Sequence, residues 1–489
     1  MPSMTLEELT STSSLDEVES ALKDLKMKSG GNKVTLQKGL IRTKLKLKEL
    51  GLKTYIPLAT LILHSGGSGG GSNSRRPSKS LTKQQLVVEG DSKIGEEEKG
   101  DGCYRGGASL LNQSNIQPTV DEIVTQVQQS LELTDIDAIE IAMAVAAIHN
   151  QVVDSPPWLY IVDASGSGKT ELVEMFTQCP KVYSMSDLTP KTLISGLGAE
   201  DSEDGQEPSL LLKLTDNIVT LKDFTTILST HKDSMGAIFG QLREVFDGKF
   251  SKDFGNGKRI DWVGKLSMLV GVTPVIDHHH KVIAALGPRF LFVRPRKENR
   301  DKAARRALTH VKGWRLPIQD LMARFMRHLP TTPIALTESN ITILSALADI
   351  VSSGRSDVWK DHEGNIEEVG LLEFPTRVVK QLAYVAKGLA LIHLRTQVND
   401  EDIRKVIRVG FDSLPPRRSV ALNFLYSHPN SNITAIIQNT AYSNYIMSNA
   451  LEELMGLGMV EQSGNVVDGL TYALSPQTSK LFKLLDFQA

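Results

Sequence analysis

Apolar positions recur at two spacings along this chain, and they predict alternating helices and strands from residue 118 onward. Residues 120–131 and 135–149 carry apolar side chains at the spacing of amphipathic helices. Short apolar runs typical of buried strands come next, at residues 158–162, 216–223 and 265–274, with a further one after Arg289. Strands that alternate with helices form a parallel sheet covered on both faces. The pattern therefore predicts an α/β fold.

Changes in composition divide the chain into five predicted parts. Residues 1–64 are expected to be a small helical and basic module. Its lysine-rich residues 33–53 form either a solvated helical arm, which we prefer, or a module for nucleic acid or a partner protein. Residues 65–117 contain the Gly/Ser run 66–72 and few large apolar residues, so we expect a disordered linker. The remaining parts are an α/β core at 118–300, a helical region at 301–413 and a separate C-terminal domain at 414–489.

Charge and cysteine content narrow the classes of function. The 489 residues carry 55 Lys and Arg against 57 Asp and Glu, a formal net charge of −2. Any contact with DNA must therefore come from local basic patches. The two cysteines, Cys103 and Cys179, form neither a metal-binding pattern nor a disulfide framework. With no apolar run of membrane-spanning length and a polar, acidic amino terminus, we expect a cytoplasmic protein that does not bind a membrane.

Residues 163–170 read Asp-Ala-Ser-Gly-Ser-Gly-Lys-Thr. They match the P-loop pattern G-x-x-x-x-G-K-[ST], except that Asp163 stands where glycine is usual. A loop of this kind between a strand and a helix directs backbone N–H groups and the helix dipole at a phosphate. The alternative, a glycine-rich turn without a ligand, is weaker because a strand and a helix flank the loop. The expected phosphate ligands are Ser165, Gly166, Ser167, Gly168, Lys169 and Thr170, with the Thr170 hydroxyl on Mg²⁺.

Two later strands deliver polar residues that suit the same site. The strand from residue 216 ends in Lys222-Asp223-Phe224. A carboxylate there can hold Mg²⁺ through water, so Asp223 is a candidate metal and catalytic residue. Either Asp223 is the acid on the metal side, or it replaces a catalytic glutamate and Lys222 occupies the metal-side position. The next strand delivers Thr273, which can bind the γ-phosphate or the attacking water.

Between these strands the sequence predicts a basic hairpin. Gly255-Asn256-Gly257 is a strong turn signal between two extended pieces. Such a hairpin can reach into a channel and contact phosphates, although an ordinary solvated hairpin is an equal alternative. The candidate DNA-binding residues here are Lys249, Lys252, Lys258 and Arg259.

The order of these motifs resembles an AAA+ ATPase of the pre-sensor-1 hairpin group, which includes minichromosome-maintenance helicases. The similarity covers about residues 118–413 and extends to the Leu-x-Glu-Val helix at 242–245. Thr273-Pro274 stands where the helicases have Asn-Pro, and Pro288-Arg289-Phe290 stands where they have Ser-Arg-Phe. Thr376-Arg377 matches the start of the lid helix.

This resemblance implies a P-loop parallel-sheet core followed by a helical lid, with ATP and Mg²⁺ as cofactors. It implies that Arg289 is an arginine finger that reaches the γ-phosphate of a neighbouring subunit and that Arg377 is the sensor-2 arginine. A surface charge on the lid helix is the alternative for Arg377. The implied assembly is a homo-oligomeric ring, with a hexamer as the first candidate.

Residues 414–489 predict three helices and a two-stranded wing, which resembles a winged helix-turn-helix. Its third helix would offer Tyr442 and Asn444 to a DNA major groove. That helix has few lysines or arginines, so a protein-binding winged helix is the alternative.

Taken together, these features predict an ATP-hydrolysing AAA+ motor that acts on DNA. The role we expect is a replication-type helicase of a mobile element, phage or prokaryote. One alternative is a DNA-binding initiator or helicase loader that uses ATP as a switch. The other is an AAA+ protein remodeller.

Overall fold

A computed structural model of the protein describes residues 117–195, 209–278, 289–296, 300–465 and 469–485. All of them belong to the unit Gly107–Ala489. The expected module at residues 1–64 and all but Gln117 of the expected linker lie outside the described residues, so both stay predictions.

In this part of the chain helices and strands are interspersed up to residue 293, and helices dominate after it. The helices are α1 (Val120–Leu131), α2 (Ile136–Ala147), α3 (Lys169–Glu174), α4 (Pro190–Leu193), α5 (Thr225–Leu228), α6 (Lys232–Phe246), α7 (Arg300–Leu308), α8 (Leu316–Arg327), α9 (Glu338–Gly354), α10 (Thr376–Ile392), α11 (Asp400–Asp412), α12 (Pro416–Ser427), α13 (Ile433–Gln438), α14 (Asn444–Gly456) and α15 (Pro476–Leu485). The strands are β1 (Trp158–Val162), β2 (Val182–Met185), β3 (Asp216–Leu221), β4 (Lys249–Asp253), β5 (Arg259–Val263), β6 (Lys265–Val272), β7 (Phe290–Val293), β8 (Val358–Lys360), β9 (Ile366–Val369), β10 (Ser431–Asn432), β11 (Val460–Asn465) and β12 (Gly469–Leu474).

Five strands form one sheet in the order β2-β3-β6-β1-β7. Every neighbouring pair in this sheet is parallel. Parallel neighbours require the chain to cross back over the sheet between strands, and these crossovers place helices on both faces. The predicted α/β fold with a parallel sheet is confirmed. β6 lies between β1, which leads into the P-loop sequence, and β3, which leads into Lys222 and Asp223.

Alternate side chains of β1 point into two different apolar cores. Leu159 and Ile161 pack with α1, α2, α3 and the helices α8 to α11. Trp158 and Tyr160 pack on the opposite face with α6 and the base of the β4–β5 hairpin. The two-residue period of a strand produces this division. All five residues of β1 are buried, so the P-loop sequence follows a fully buried interior strand of the sheet.

The helical region packs closely on α2 through α10. At the crossing, a Cβ on Gly388 would lie 2.3 Å from the carbonyl oxygen of Ala144, so this position requires glycine. Beside it, the buried carboxylate of Glu140 accepts a 2.5 Å hydrogen bond from Lys405 Nζ and lies 3.1 Å from His393 Nε2. The region also contains the antiparallel pair β8–β9, which the sequence analysis did not predict.

The C-terminal elements are three helices followed by a small antiparallel sheet. Helices α12, α13 and α14 precede the antiparallel strands β11 and β12, and β10 adds to the outer side of β12. Arg418 on α12 fixes this part to the end of α9, because its guanidinium donates to Glu453 Oε2 at 2.8 Å and to the carbonyl oxygens of Gly354 and Ser356.

Domain bounds and membrane spans were also predicted from the sequence. The bounds of the predicted domains at 118–300, 301–413 and 414–489 remain predictions. Among the residues that the structure describes, no helix is both long and apolar enough to cross a membrane.

Candidate nucleotide-binding site

The P-loop sequence begins with an aspartate that starts the turn. The Asp163 N–H donates to the Val272 carbonyl oxygen at 3.1 Å, which continues the pairing of β1 with β6 by one residue. Its carboxylate then accepts a 2.7 Å hydrogen bond from the N–H of Ala164. Aspartate favours such a local turn. Gly166 and Gly168 follow with φ of +73° and +89°, a conformation that strains other residues.

Lys169 folds back over this loop. The residue is 5% exposed, and its Nζ donates to the Ala164 carbonyl oxygen at 3.3 Å. Its stem passes Gly271 of β6, where a Cβ would lie 3.8 Å from Lys169 Cδ and 2.5 Å from the carbonyl oxygen of Lys222. A buried ammonium group needs a compensating negative charge, and a phosphate in the loop would supply it. The loop and Lys169 therefore fit a nucleotide.

The helix after the loop is short. Its regular part is the six residues Lys169–Glu174, so the predicted contribution of a helix dipole is small. Loop amides, Lys169 and the hydroxyl group of Thr170 are the main groups available for phosphate and Mg²⁺. Ser165, Gly166, Ser167 and Gly168 lie in the loop, as the sequence predicts.

Lys222 and Asp223 diverge after the end of β3. The Lys222 ammonium lies 2.6 Å from Glu174 Oε1 on α3, so Lys222 is the residue of the two that faces the P-loop helix. The Asp223 carboxylate accepts a 2.9 Å hydrogen bond from the N–H of Thr225.

Thr225 connects Asp223 to Thr273. The Thr225 hydroxyl accepts from the Thr273 N–H at 3.1 Å, and the two hydroxyl groups share a hydrogen bond at 3.0 Å. These residues stand 48 positions apart in the sequence, and they meet because β3 and β6 are neighbours that end at the same edge of the sheet. The sequence pattern did not predict Thr225 as a site residue. Its only local signal is a hydroxyl two residues after the acid.

Donors for a divalent cation are few in this part of the site. The described residues contain no group of three or more His, Cys, Asp or Glu side chains placed to bind a metal ion. Mg²⁺ at nucleotide sites commonly takes one or two protein ligands and completes its shell with phosphate and water. Thr170 and Asp223 fit that requirement, whereas the cationic Lys222 cannot serve as a ligand.

Arg315 joins the helical region to α3 and was also missed. Its guanidinium donates to both oxygens of Glu171, at 2.5 and 2.6 Å, and lies 3.3 Å from Glu174. These hydrogen bonds raise the pKa of Arg315 above its ordinary value. Because Glu171 directly follows Thr170, the bidentate pair fastens the helical region to the P-loop.

Arg289 and Arg377 lie at the opposite edge of the sheet. Arg289 precedes β7, and the register of Trp158 with Phe290 places it level with the start of β1. The P-loop follows the other end of β1, and five residues of strand span about 16 Å. Arg289 is therefore separated from the P-loop of its own chain by the length of the sheet.

The two arginines share one aromatic ring. The Arg289 and Arg377 guanidinium carbons lie 5.4 and 5.7 Å from the centre of the Phe246 ring. Arg289 Nη2 donates to Asp247 Oδ2 at 2.9 Å, and Arg377 Nη1 lies 3.9 Å from Glu373. Burial, and then the positive charge of Arg377, lower the pKa of Arg289 despite the carboxylate of Asp247.

The antiparallel pair β4–β5 forms a hairpin at the position the sequence predicts. Gly257 has φ of +85° in its turn, and the Trp262 indole N–H donates to the Leu214 carbonyl oxygen at 2.7 Å to fix the base. Lys249, Lys252 and Arg259 are exposed and Lys258 is half-buried. The Arg259 guanidinium is partly neutralised, because it lies 2.8 Å from Asp261 and 3.4 Å from Asp253.

The predicted recognition helix, α14, presents few features of a DNA-binding surface. Asn444 is exposed and is the first residue of the helix, whereas Tyr442 lies two residues before the helix begins, not on it as predicted. Tyr442 is half-buried, and burial and the charge of Asp277 raise its pKa. The helix contains two glutamates and no lysine or arginine. Lys360 of the β8–β9 hairpin donates to Asn449 and to Glu452 at 2.8 and 3.1 Å, so part of the helix is covered.

No protein-family model matches the chain, and a search of curated proteins found no significant match. Inference about function therefore depends on the site itself.

Proposed function

We propose that this protein is an ATP-hydrolysing AAA+ motor that assembles as an oligomer and acts on DNA. One observation carries the proposal. The P-loop, Asp223 and Thr273 meet at the carboxyl edge of the sheet, whereas Arg289 and Arg377 lie together at the amino edge, about five strand residues away. A site divided in this way is complete only when the amino edge of one subunit meets the carboxyl edge of another.

In the proposed reaction, the loop amides and Lys169 hold the β- and γ-phosphates. Mg²⁺ held by Thr170 and water would neutralise phosphate charge. Asp223 and Thr273 face the position of the γ-phosphate and orient the attacking water. Thr225 holds both residues in place through its hydrogen bonds to them. Arg289 and Arg377 of a second subunit stabilise the charge that develops during phosphoryl transfer.

The ion pair of Lys222 with Glu174 supports the interpretation in which Asp223 replaces a catalytic glutamate and Lys222 occupies the metal-side position. Because Lys222 faces α3, it takes the metal-side position, and Asp223 takes the position of a catalytic base. This motif lacks one of its usual carboxylates, so slow hydrolysis is expected. That feature favours the alternative of an ATP-switched initiator or helicase loader over the protein remodeller.

The proposed DNA contact is the β4–β5 hairpin. Residues 249–263 contain four basic and two acidic side chains, and along the chain the hairpin lies between α6 and β6. The surface of α14 supports a DNA contact less well, and a protein partner suits that helix better.

Hydrolysis of ATP by the purified protein, with and without single- and double-stranded DNA, tests the proposal. We expect DNA to stimulate hydrolysis, and we expect Lys169→Ala to weaken ATP binding at least tenfold, since a hydrogen bond to a charged group contributes about 1.5–3 kcal/mol. Replacing Lys249 and Lys252 with glutamine should remove the stimulation and leave basal hydrolysis intact. Nucleotide binding without hydrolysis would favour the switch, and hydrolysis indifferent to DNA would favour the remodeller.

A further inference from the structure

Arg289, on which the proposed chemistry between subunits depends, does not lie at the protein surface. The residue is 6% exposed, with its guanidinium between the ring of Phe246 and the carboxylate of Asp247. An arginine covered in this way cannot bind a phosphate on another chain until its side chain moves.

The main chain at Arg289 is fixed, so such a movement is confined to the side chain. Its carbonyl oxygen accepts a 2.6 Å hydrogen bond from the fully buried amide of Gln381, which also donates to Pro156. Phe290, the next residue, is paired with Trp158 in the sheet. The guanidinium, by contrast, is held on a flexible stem by groups that can release it.

Asp247 is the group best placed to hold the Arg289 guanidinium and to release it. It is the residue directly after α6, and its N–H donates to the Arg243 carbonyl oxygen, so its backbone is anchored. Its side chain is nevertheless 53% exposed. An ion pair with one partner in solvent is weak, and a triphosphate carries more charge than one carboxylate.

Arg377 makes the withdrawn position less favourable. Its guanidinium carbon lies 5.7 Å from the centre of the Phe246 ring that Arg289 also contacts, and the two positive charges repel. Arg289 would escape both this repulsion and its own burial by extending toward an anion. Arg289 therefore stays withdrawn only until an anion binds its guanidinium more strongly than the Asp247 carboxylate does.

We propose that Asp247 is a positioning residue that keeps Arg289 withdrawn on its own subunit until the phosphate of a nucleotide bound to a second copy of this chain displaces it. The inference rests on the proposed role of Arg289 as an arginine finger. It adds a means of regulation, because hydrolysis then begins only when subunits assemble with nucleotide between them.

Asp247→Asn tests this inference because it keeps the shape of the side chain and removes its charge. Hydrolysis is measured over a series of protein concentrations. We expect the concentration that gives half-maximal activity per subunit to fall about fivefold, the value of a partly exposed ion pair, with little change at saturation. Asp247→Ala should shift it in the same direction. Asp233→Asn, the same change at a 93% exposed acid in the first turn of α6, is the matched control and should behave as the native protein.

The double variant Asp247→Asn/Arg289→Ala separates the inference from the proposed function. It should be as inactive as Arg289→Ala alone, because Asp247 acts through Arg289. An unchanged or higher half-maximal concentration in Asp247→Asn, or a double variant more active than Arg289→Ala, would overturn the role of Asp247. Full activity of Arg289→Ala at every concentration would instead refute the proposed arginine finger.

Discussion

Thr225 provides the most direct test of the candidate site. Valine has nearly the shape of threonine but no hydroxyl, so Thr225→Val removes the acceptor for the Thr273 N–H and the hydrogen bond to the Thr273 hydroxyl. An unsatisfied donor costs about 1–3 kcal/mol when buried, and we take about 1–2 kcal/mol for this half-buried pair. If the transition state loses this stabilisation and the bound ground state does not, kcat falls about five- to thirtyfold.

Steady-state ATP hydrolysis against ATP concentration is the assay. The KM of Thr225→Val should stay within about twofold of the native value, because Lys169 and the loop, which would bind the phosphates, are untouched. Thr225→Ser restores the hydroxyl and should recover most of kcat. Thr342→Val, on the exposed surface of α9, controls for the substitution itself. A native kcat in Thr225→Val would refute the reasoning, and an equal defect in Thr225→Ser would assign the effect to packing.

Three further predictions concern stability and the P-loop. Gly271→Ala should weaken ATP binding and lower the midpoint of thermal unfolding, because its Cβ would lie 2.5 Å from the Lys222 carbonyl oxygen and overpacking costs about 1–3 kcal/mol. A native midpoint together with a native ATP affinity would contradict this prediction. Burial, and then the charge of Lys265, lower the pKa of His149 from 6.5 to about 4, so the unfolded chain binds the proton more readily. The free energy of unfolding should therefore fall as the pH drops from about 6.5 to 4, by up to about 3 kcal/mol, and His149→Gln should flatten that part of a pH series of urea denaturations. Arg418→Leu leaves its buried carboxylate partner on α14 undercompensated and should destabilise the protein by about 3–5 kcal/mol, measured by the same denaturation, with exposed Arg305→Leu as the control.

Local sequence was sufficient for the features that neighbouring residues create. The P-loop needs glycines with positive φ and a lysine at a set spacing, and residues 163–170 supply both. The Gly255-Asn256-Gly257 turn likewise predicted the β4–β5 hairpin, because the turn and the strands it joins lie within a few residues. The β8–β9 hairpin escaped detection, since its strands of three and four residues are too short for a period of two to stand out.

The sequence by itself determined the α/β class of fold and the glycine-rich turn that leads into Lys169, because hydrophobic period and backbone conformation are encoded by adjacent residues. Tertiary structure decided which distant side chains share a site. The order of the strands brought Thr225 to Thr273 and turned Lys222 toward Glu174, and the parallel direction of β1 and β7 put Arg289 at the edge opposite the P-loop. These relations follow from strand neighbours and chain direction, which no local pattern of residues specifies.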